Sequence, residues 1–283
     1  MLLDSDLDLI IIASPSNSHF NMAIDALKSG KHVVLEKPIA STINEVNELK
    51  RVSHENDRNI IPFYNFRFVD EFLEIKSILK EGLIGAPFLI KRQVSYFNRR
   101  NDWQSCLVNN GGIINAAATH HIDQILQLMG EDPIDIWGEL RKIVTKGDAP
   151  DHCKLLMKFP SKCIVDIEIS WAEAFSGEPW VIYGEYGAIW QNDNILQCKW
   201  FNENDVTKNE FRERSYLSNE NINWKYKSFT LKEDYQLPIS PIFYSLLATS
   251  LSSKGEIPAP VSIDCAINLM RNLENIERSI SII

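Results

Sequence analysis

Two continuous apolar runs, Leu9 to Ala13 (LIIIA) and His32 to Leu35 (HVVL), limit what this chain can become more than any other feature. Strands built almost wholly from branched aliphatic residues need cover on both faces, which the parallel sheets of α/β proteins supply. Between the runs Phe20, Ala23, Ile24 and Leu27 recur at helical spacing, and Gly30 stands where a helix would stop. Strand, helix and strand in so short a stretch predict a right-handed βαβ crossover. Thr42 and Glu45 then form a capping box for a helix with Val46, Leu49 and Val52 on one side, and Ile60 to Tyr64 reads as a third strand.

Beyond a helix from Val69 to Lys80, closed by Gly82 and Gly85, the pattern changes. A strand is expected over Pro87 to Ser95, and a helix from Gly111-Gly112 through Met129, stopped by Gly130. Strands are then predicted at Trp137 to Thr145, His152 to Phe159, Cys163 to Ala172, Trp180 to Tyr183 and Ala188 to Gln191. Elements in blocks point to an α+β unit with a mostly antiparallel sheet, following the α/β unit. Asn192 to Tyr235 is polar and carries one strand signal, near Tyr226 to Leu231; helices return at Ile242 to Leu251 and Ile263 to Ile280.

Composition narrows the partner. With 29 Lys and Arg against 38 Asp and Glu, the net charge of -9 argues against nucleic acid or an anionic membrane surface and leaves a small molecule. No apolar tract is long enough to span a bilayer, and Met1 to Asp8 holds three aspartates and no basic residue, so the cytoplasm is the expected location. The five cysteines are scattered with no C-x-x-C, and the six histidines show no H-E-x-x-H, so no metal site is expected.

Glu36-Lys37-Pro38 closes the second apolar run, at the carboxyl end of a parallel strand, where open α/β sheets place their ligand crevice. Taken alone, the charged pair is either a solvated strand exit or part of a site. His120 is likewise either a helix histidine satisfied at the core edge or an acid/base group.

Read in order, Ser14-Pro15-x-x-x-His19, Glu36-Lys37-Pro38, Asn65-Phe66-Arg67-Phe68, Gly82-x-x-Gly85 and Gly111-Gly112 through His120-His121-Ile122-Asp123 resemble one family. It is the glucose-fructose oxidoreductase, inositol dehydrogenase and rhizopine-catabolism family, Gfo/Idh/MocA. Each motif is weak alone, and five in register are specific. The resemblance implies an NAD(P)-dependent enzyme, using NAD or NADP, that oxidises or reduces a sugar, cyclitol or related polyol. It implies a partial Rossmann-type dinucleotide-binding domain over 1–68, an open-faced α+β substrate and oligomerisation domain over 69–262, and a C-terminal helix over 263–283 that packs back on the first. Carried over by position, Ser14, Pro15 and His19 lie beside the nicotinamide ribose, with Glu36, Pro38 and Asn65 on the cofactor side. Lys37 stands between cofactor and substrate, where its charge favours an alkoxide-like transition state, and His120 is the general acid/base. Arg67, Tyr96, Arg100, Trp103 and Asn115 line the substrate side; Arg100 and Trp103 either grip a sugar acid or ring, or belong to a surface loop.

Two departures accompany the match. The family usually carries an aspartate four residues before the histidine, and here that position is Ala116, with Asn115 as the nearby polar residue. No glycine precedes Gly30, so the G-x-G-x-x-G turn that holds a pyrophosphate is not in this sequence. The expectation is a start assigned too far downstream, a truncated protein, or a partner chain that completes the sheet. The leading reading is therefore a dehydrogenase of this family, impaired if truncated. The rival is a non-catalytic carbohydrate-binding or interaction protein derived from it. Either would form a homo-oligomer through the open sheet face.

Overall fold

A computed structural model of the chain describes residues 1–205, 222–231, 240–253 and 256–282, so most of the polar stretch between Glu203 and Tyr235 lies outside the described residues. The first sheet is parallel, in the order β1 (Leu9–Ile12), β2 (His32–Leu35) and β3 (Ile60–Pro62). Its register sets Ile10 opposite Val33 and Val34 opposite Ile61. Helices α1 (His19–Lys28) and α2 (Ile43–Glu55) connect the strands, and Val33, Leu35, Leu27 and Leu49 are fully buried between them. The Thr42–Glu45 capping box forms as its sequence predicts, and Gly30 turns the chain at φ 75°.

The second sheet has nine strands. They are β4 (Pro87–Ser95), β5 (Asp135–Arg141), β6 (His152–Lys158), β7 (Ile164–Ser170), β8 (Trp180–Gly184), β9 (Gly187–Asn192), β10 (Ile195–Trp200), β11 (Lys225–Thr230) and β12 (Ile280–Ile282). Their order is β11-β10-β9-β8-β4-β7-β6-β5-β12, antiparallel except where β4 meets β7 and β12 meets β5. Along β6 and β7 alternate residues face one side, so Cys153, Leu155, Met157, Val165, Ile167 and Ile169 are buried beneath helices. Those helices are α4 (Thr119–Met129) and α6 (Ile263–Ser279); α3 (Asp70–Lys80) and α5 (Ser240–Ser252) complete the set. Helix α6 touches α2 and β3 of the first sheet as well as α4 and β5 of the second.

The opposite sheet face carries Lys154 between Asp166 and Glu168, 2.7 Å from each, and around them Trp137, Leu156, Ile164 and Tyr183 are exposed. Ile164 therefore belongs to the other face from Ile167 and Ile169, as the period of two requires. Strand β5 stops at Arg141 rather than Thr145 because the Asp151 carboxylate collects the N–H groups of Ile143, Val144 and Thr145 into a turn. Strands β10 and β12 have no counterpart in the sequence reading. Leu196 and Cys198 alternate with exposed residues, but over too short and polar a run to stand out. Among the described residues no helix is long and apolar enough to cross a membrane, and no cluster of His, Cys, Asp and Glu could hold a metal ion.

Candidate functional site

The site lies where the end of β2 faces the start of α4. The loop that leads into α4 is tightly folded. Asn110 adopts a left-handed conformation at φ 56°, and a Cβ on Gly111 would fall 2.4 Å from the Gln104 carbonyl oxygen, so only glycine fits there. Asn110 Nδ2 donates to Ser41 Oγ at 2.9 Å and ties this loop to the connection between β2 and α2. Residues Ile114–Ala118 then form a π-helical turn, in which the Thr119 N–H reaches back five residues to the Ile114 carbonyl and the Thr119 hydroxyl bonds the same oxygen at 2.8 Å. Single π turns break the regular ladder and present carbonyls sideways.

Lys37 uses that irregularity. Its Nζ donates to the Ala116 carbonyl at 2.6 Å and the Asn115 carbonyl at 3.3 Å, across 79 and 78 residues of sequence. An ammonium has three N–H donors, so one remains for a ligand. Burial, with a further contribution from Arg100 and against the pull of Glu36, lowers the Lys37 pKa to about 8, which leaves it charged at neutral pH. Burial also raises the pKa of Glu36, whose Oε2 accepts the Lys37 backbone N–H at 3.1 Å; the Lys37–Pro38 peptide is cis.

His120 follows the π turn on α4. Its pKa is pushed well below the ordinary value, first by burial and then by Lys37, so the imidazole is neutral. The Phe66 ring meets it edge-on, 4.2 Å between centroids. His120 Nδ1 is buried without a partner among the described residues, as is Asn65 Oδ1 beside Phe66. Ala116 offers Nδ1 no carboxylate. Asn115 does not substitute, since Nδ1 remains without a partner, and Asn115 Nδ2 donates to the Asn110 carbonyl at 3.1 Å.

The remaining residues named from sequence divide into two groups. Ser14 and Pro15 follow the end of β1 and His19 opens α1; His19 is buried with Nδ1 and Nε2 each 2.8 Å from a carbonyl oxygen, those of Pro38 and Ser14, so it braces the two turns together. Ser14 Oγ lies 2.7 Å from Ser18 Oγ. Arg67 does not reach into the cleft. Its guanidinium forms a two-pronged pair with Asp123 at 2.6 and 2.7 Å and touches Cys265 Sγ at 3.3 Å, joining α4 to α6. Tyr96 and Trp103 are about half exposed, and Arg100 lies over the Trp171 ring.

Sequence reasoning missed the π turn and gave Phe66, quoted only as part of a motif, no role of its own. It also missed Tyr244 of α5, which stacks with Phe63 at 5.8 Å and lies close enough to Glu36 for that charge, after burial, to raise its pKa. His121 turns inward, buried between Arg92 and Gln124. The two orphaned polar atoms, Asn65 Oδ1 and His120 Nδ1, fit the nicotinamide end of a dinucleotide, where a carboxamide, ribose or bridging water would satisfy them. No G-x-G-x-x-G cradle for the pyrophosphate is present in the sequence.

Comparison with known proteins places these features in a wider set. Residues 1–64 match the model described as an oxidoreductase family with an NAD-binding Rossmann fold, and residues 72–190 match the GFO/IDH/MocA C-terminal domain. The uncharacterized oxidoreductase YdgJ of Escherichia coli (strain K12) is 25% identical over 96% of this chain and 78% of its own. The scyllo-inositol 2-dehydrogenase (NADP(+)) IolW of Bacillus subtilis (strain 168) is 32% identical over 45% of this chain and 36% of its own. The solved structure of an NAD-binding protein from Listeria innocua superposes with a TM-score of 0.81 at 21% identity, covering 99% of this chain and 81% of that one.

Proposed function

The chain belongs to the GFO/IDH/MocA family of NAD-binding oxidoreductases, and from that premise we propose that its cleft transfers hydride between NAD or NADP and a sugar, cyclitol or related polyol. The observation that carries this reading is the placement of the Lys37 ammonium, held by two π-turn carbonyls, beside a neutral His120. When bound, the nicotinamide supplies the hydride acceptor. Lys37 gives its remaining N–H to the substrate hydroxyl oxygen and stabilises negative charge as the carbon loses hydride. His120, already uncharged, takes the hydroxyl proton at Nε2. Asn65 and the Ser14-Pro15 turn would hold the nicotinamide end, with Glu36 behind Lys37.

The test is a screen of polyols with both nicotinamides, following absorbance of the reduced form, on the wild-type chain beside His120→Ala and Lys37→Met. Turnover lost in both variants supports the reading; turnover unaffected by either refutes it.

A second reading, a non-catalytic carbohydrate-binding protein, is favoured by Ala116, which leaves His120 Nδ1 without a carboxylate. It predicts polyol binding without nicotinamide turnover. Under either reading the exposed Trp137 and Ile164 face is where a second copy would dock, so Trp137→Glu should lower the sedimentation mass.

A further inference from the structure

Arg100 is the second cation of the cleft, and its setting is built. The Asn98 N–H donates to the Trp171 carbonyl at 2.8 Å, and the Arg100 carbonyl accepts from the Lys146 N–H at 3.0 Å and the Thr145 hydroxyl at 3.2 Å. These bonds fix the backbone on both sides. The guanidinium lies over the Trp171 ring, 4.9 Å from its centroid. Trp171 is 2% exposed, and its Nε1 is buried without a partner among the described residues. Asp102 accepts from Nε at 3.2 Å and Nη2 at 2.6 Å, which orients the fork. Nη1 has no hydrogen-bond partner among the described residues. The Arg100 side chain is 20% exposed and that of Asp102 47%, so the cation is the more enclosed of the two.

Two cations, Lys37 and Arg100, stand at this end of the cleft, and Asp102 takes only one edge of the Arg100 fork. Arg100 is near enough to disfavour the charged form of Lys37, after burial. Burial raises the Glu36 pKa against the opposing pull of Lys37, the Asp123 carboxylate is taken by Arg67, and Ala116 brings no carboxylate. A neutral polyol would leave the third Lys37 N–H and the Nη1 edge of Arg100, the one Asp102 does not take, without an anion. An oxyanion would relieve both and use the donor that Arg100 has left. A guanidinium stacked on an indole and steered by a carboxylate is pre-organised for such a group.

We propose that the substrate of this cleft carries an oxyanion, a carboxylate or a phosphoryl group on a polyol frame, received by Nη1 of Arg100 above Trp171. This deepens the oxidoreductase reading, and the anion binding it describes is measurable apart from turnover.

Calorimetry on the whole chain with gluconate, sorbitol 6-phosphate and sorbitol tests it, using Arg100→Gln, Arg100→Lys and, as a control on the same loop, Arg99→Gln, each checked for folding by its melting temperature. The expected result is that one anionic probe binds at least about tenfold tighter than sorbitol, and that Arg100→Gln removes that preference, a loss of about ten- to a hundredfold as for a charge-assisted hydrogen bond. Arg100→Lys, which keeps the charge without the fork, should lose less, and Arg99→Gln nothing. Gluconate bound tighter than sorbitol 6-phosphate identifies a carboxylate; the reverse identifies a phosphoryl group. Sorbitol bound as tightly as both anions, or an equal loss for all three probes in Arg100→Gln, overturns the proposal. Arg100-dependent anion binding without nicotinamide turnover would refute the dehydrogenase reading and keep this one; turnover of sorbitol with no anion preference would do the opposite.

Discussion

Lys37 Nζ sits 2.6 Å from the carbonyl oxygen of Ala116, the residue standing where an orienting aspartate is usual, so the backbone at that position serves the lysine while its methyl packs against the core and offers His120 no acceptor. That carbonyl belongs to the π turn Ile114–Ala118, where the regular helix ladder is interrupted. Lys37 is thereby held as a donor, and under the proposed mechanism proton acceptance falls to His120.

Lys37→Met should leave the fold intact and lower kcat by about a hundred- to a thousandfold, the range for removing one pre-organised donor to a developing oxyanion. Steady-state kinetics with the best polyol found in the screen would check it. A loss confined to KM would contradict the role.

The rate of alcohol oxidation should fall as pH rises through about 8, where Lys37 gives up its proton, and should hold on the acid side to well below the ordinary histidine value, because His120 stays neutral there. A kcat profile against pH measures both limbs. Lys37→Arg should abolish the alkaline limb, since a guanidinium does not titrate in that range.

Ala116→Asp should place a carboxylate near both groups. A negative charge favours the protonated forms, so both limbs of the profile should move to higher pH. If only the alkaline limb moves, the new carboxylate pairs with Lys37 alone and does not reach His120.

Asp123→Asn should destabilise the chain by about 3–5 kcal/mol, because it strands the Arg67 guanidinium in a site where the two side chains are 10% and 4% exposed. Burial raises the Asp123 pKa and Arg67 opposes that rise, so the pair survives only as a unit. Urea unfolding would show it, and Arg67→Met with Asp123→Leu together should cost less than Asp123→Asn alone.

Much of the scaffold was legible in the residues because it depends on local periodicity. The βαβ start, the Thr42–Glu45 cap, the Gly30 stop and β4 need only neighbours in sequence to declare themselves. Glu36, Lys37 and His120 were legible as a family pattern. Strand β12 and the π turn were not, since three residues after a helix and one extra residue within a helix leave the apolar period almost unchanged. Arg67 misled for a related reason. A conspicuous arginine in a motif suggests a ligand, and only the packing of α4 on α6 reveals Asp123 as its partner.

The sequence by itself determined two sheets of different kind, their order along the chain and the residue types gathered at the end of β2, because hydrophobic period and turn chemistry act over a few residues. Tertiary structure alone decided what those residues do. The carbonyls that hold Lys37 lie 78 and 79 residues away, and the ring that carries Arg100 comes from beyond β7. Charge, burial and hydrogen bonding are set by whatever the fold brings within a few ångströms, and no local pattern records that distance.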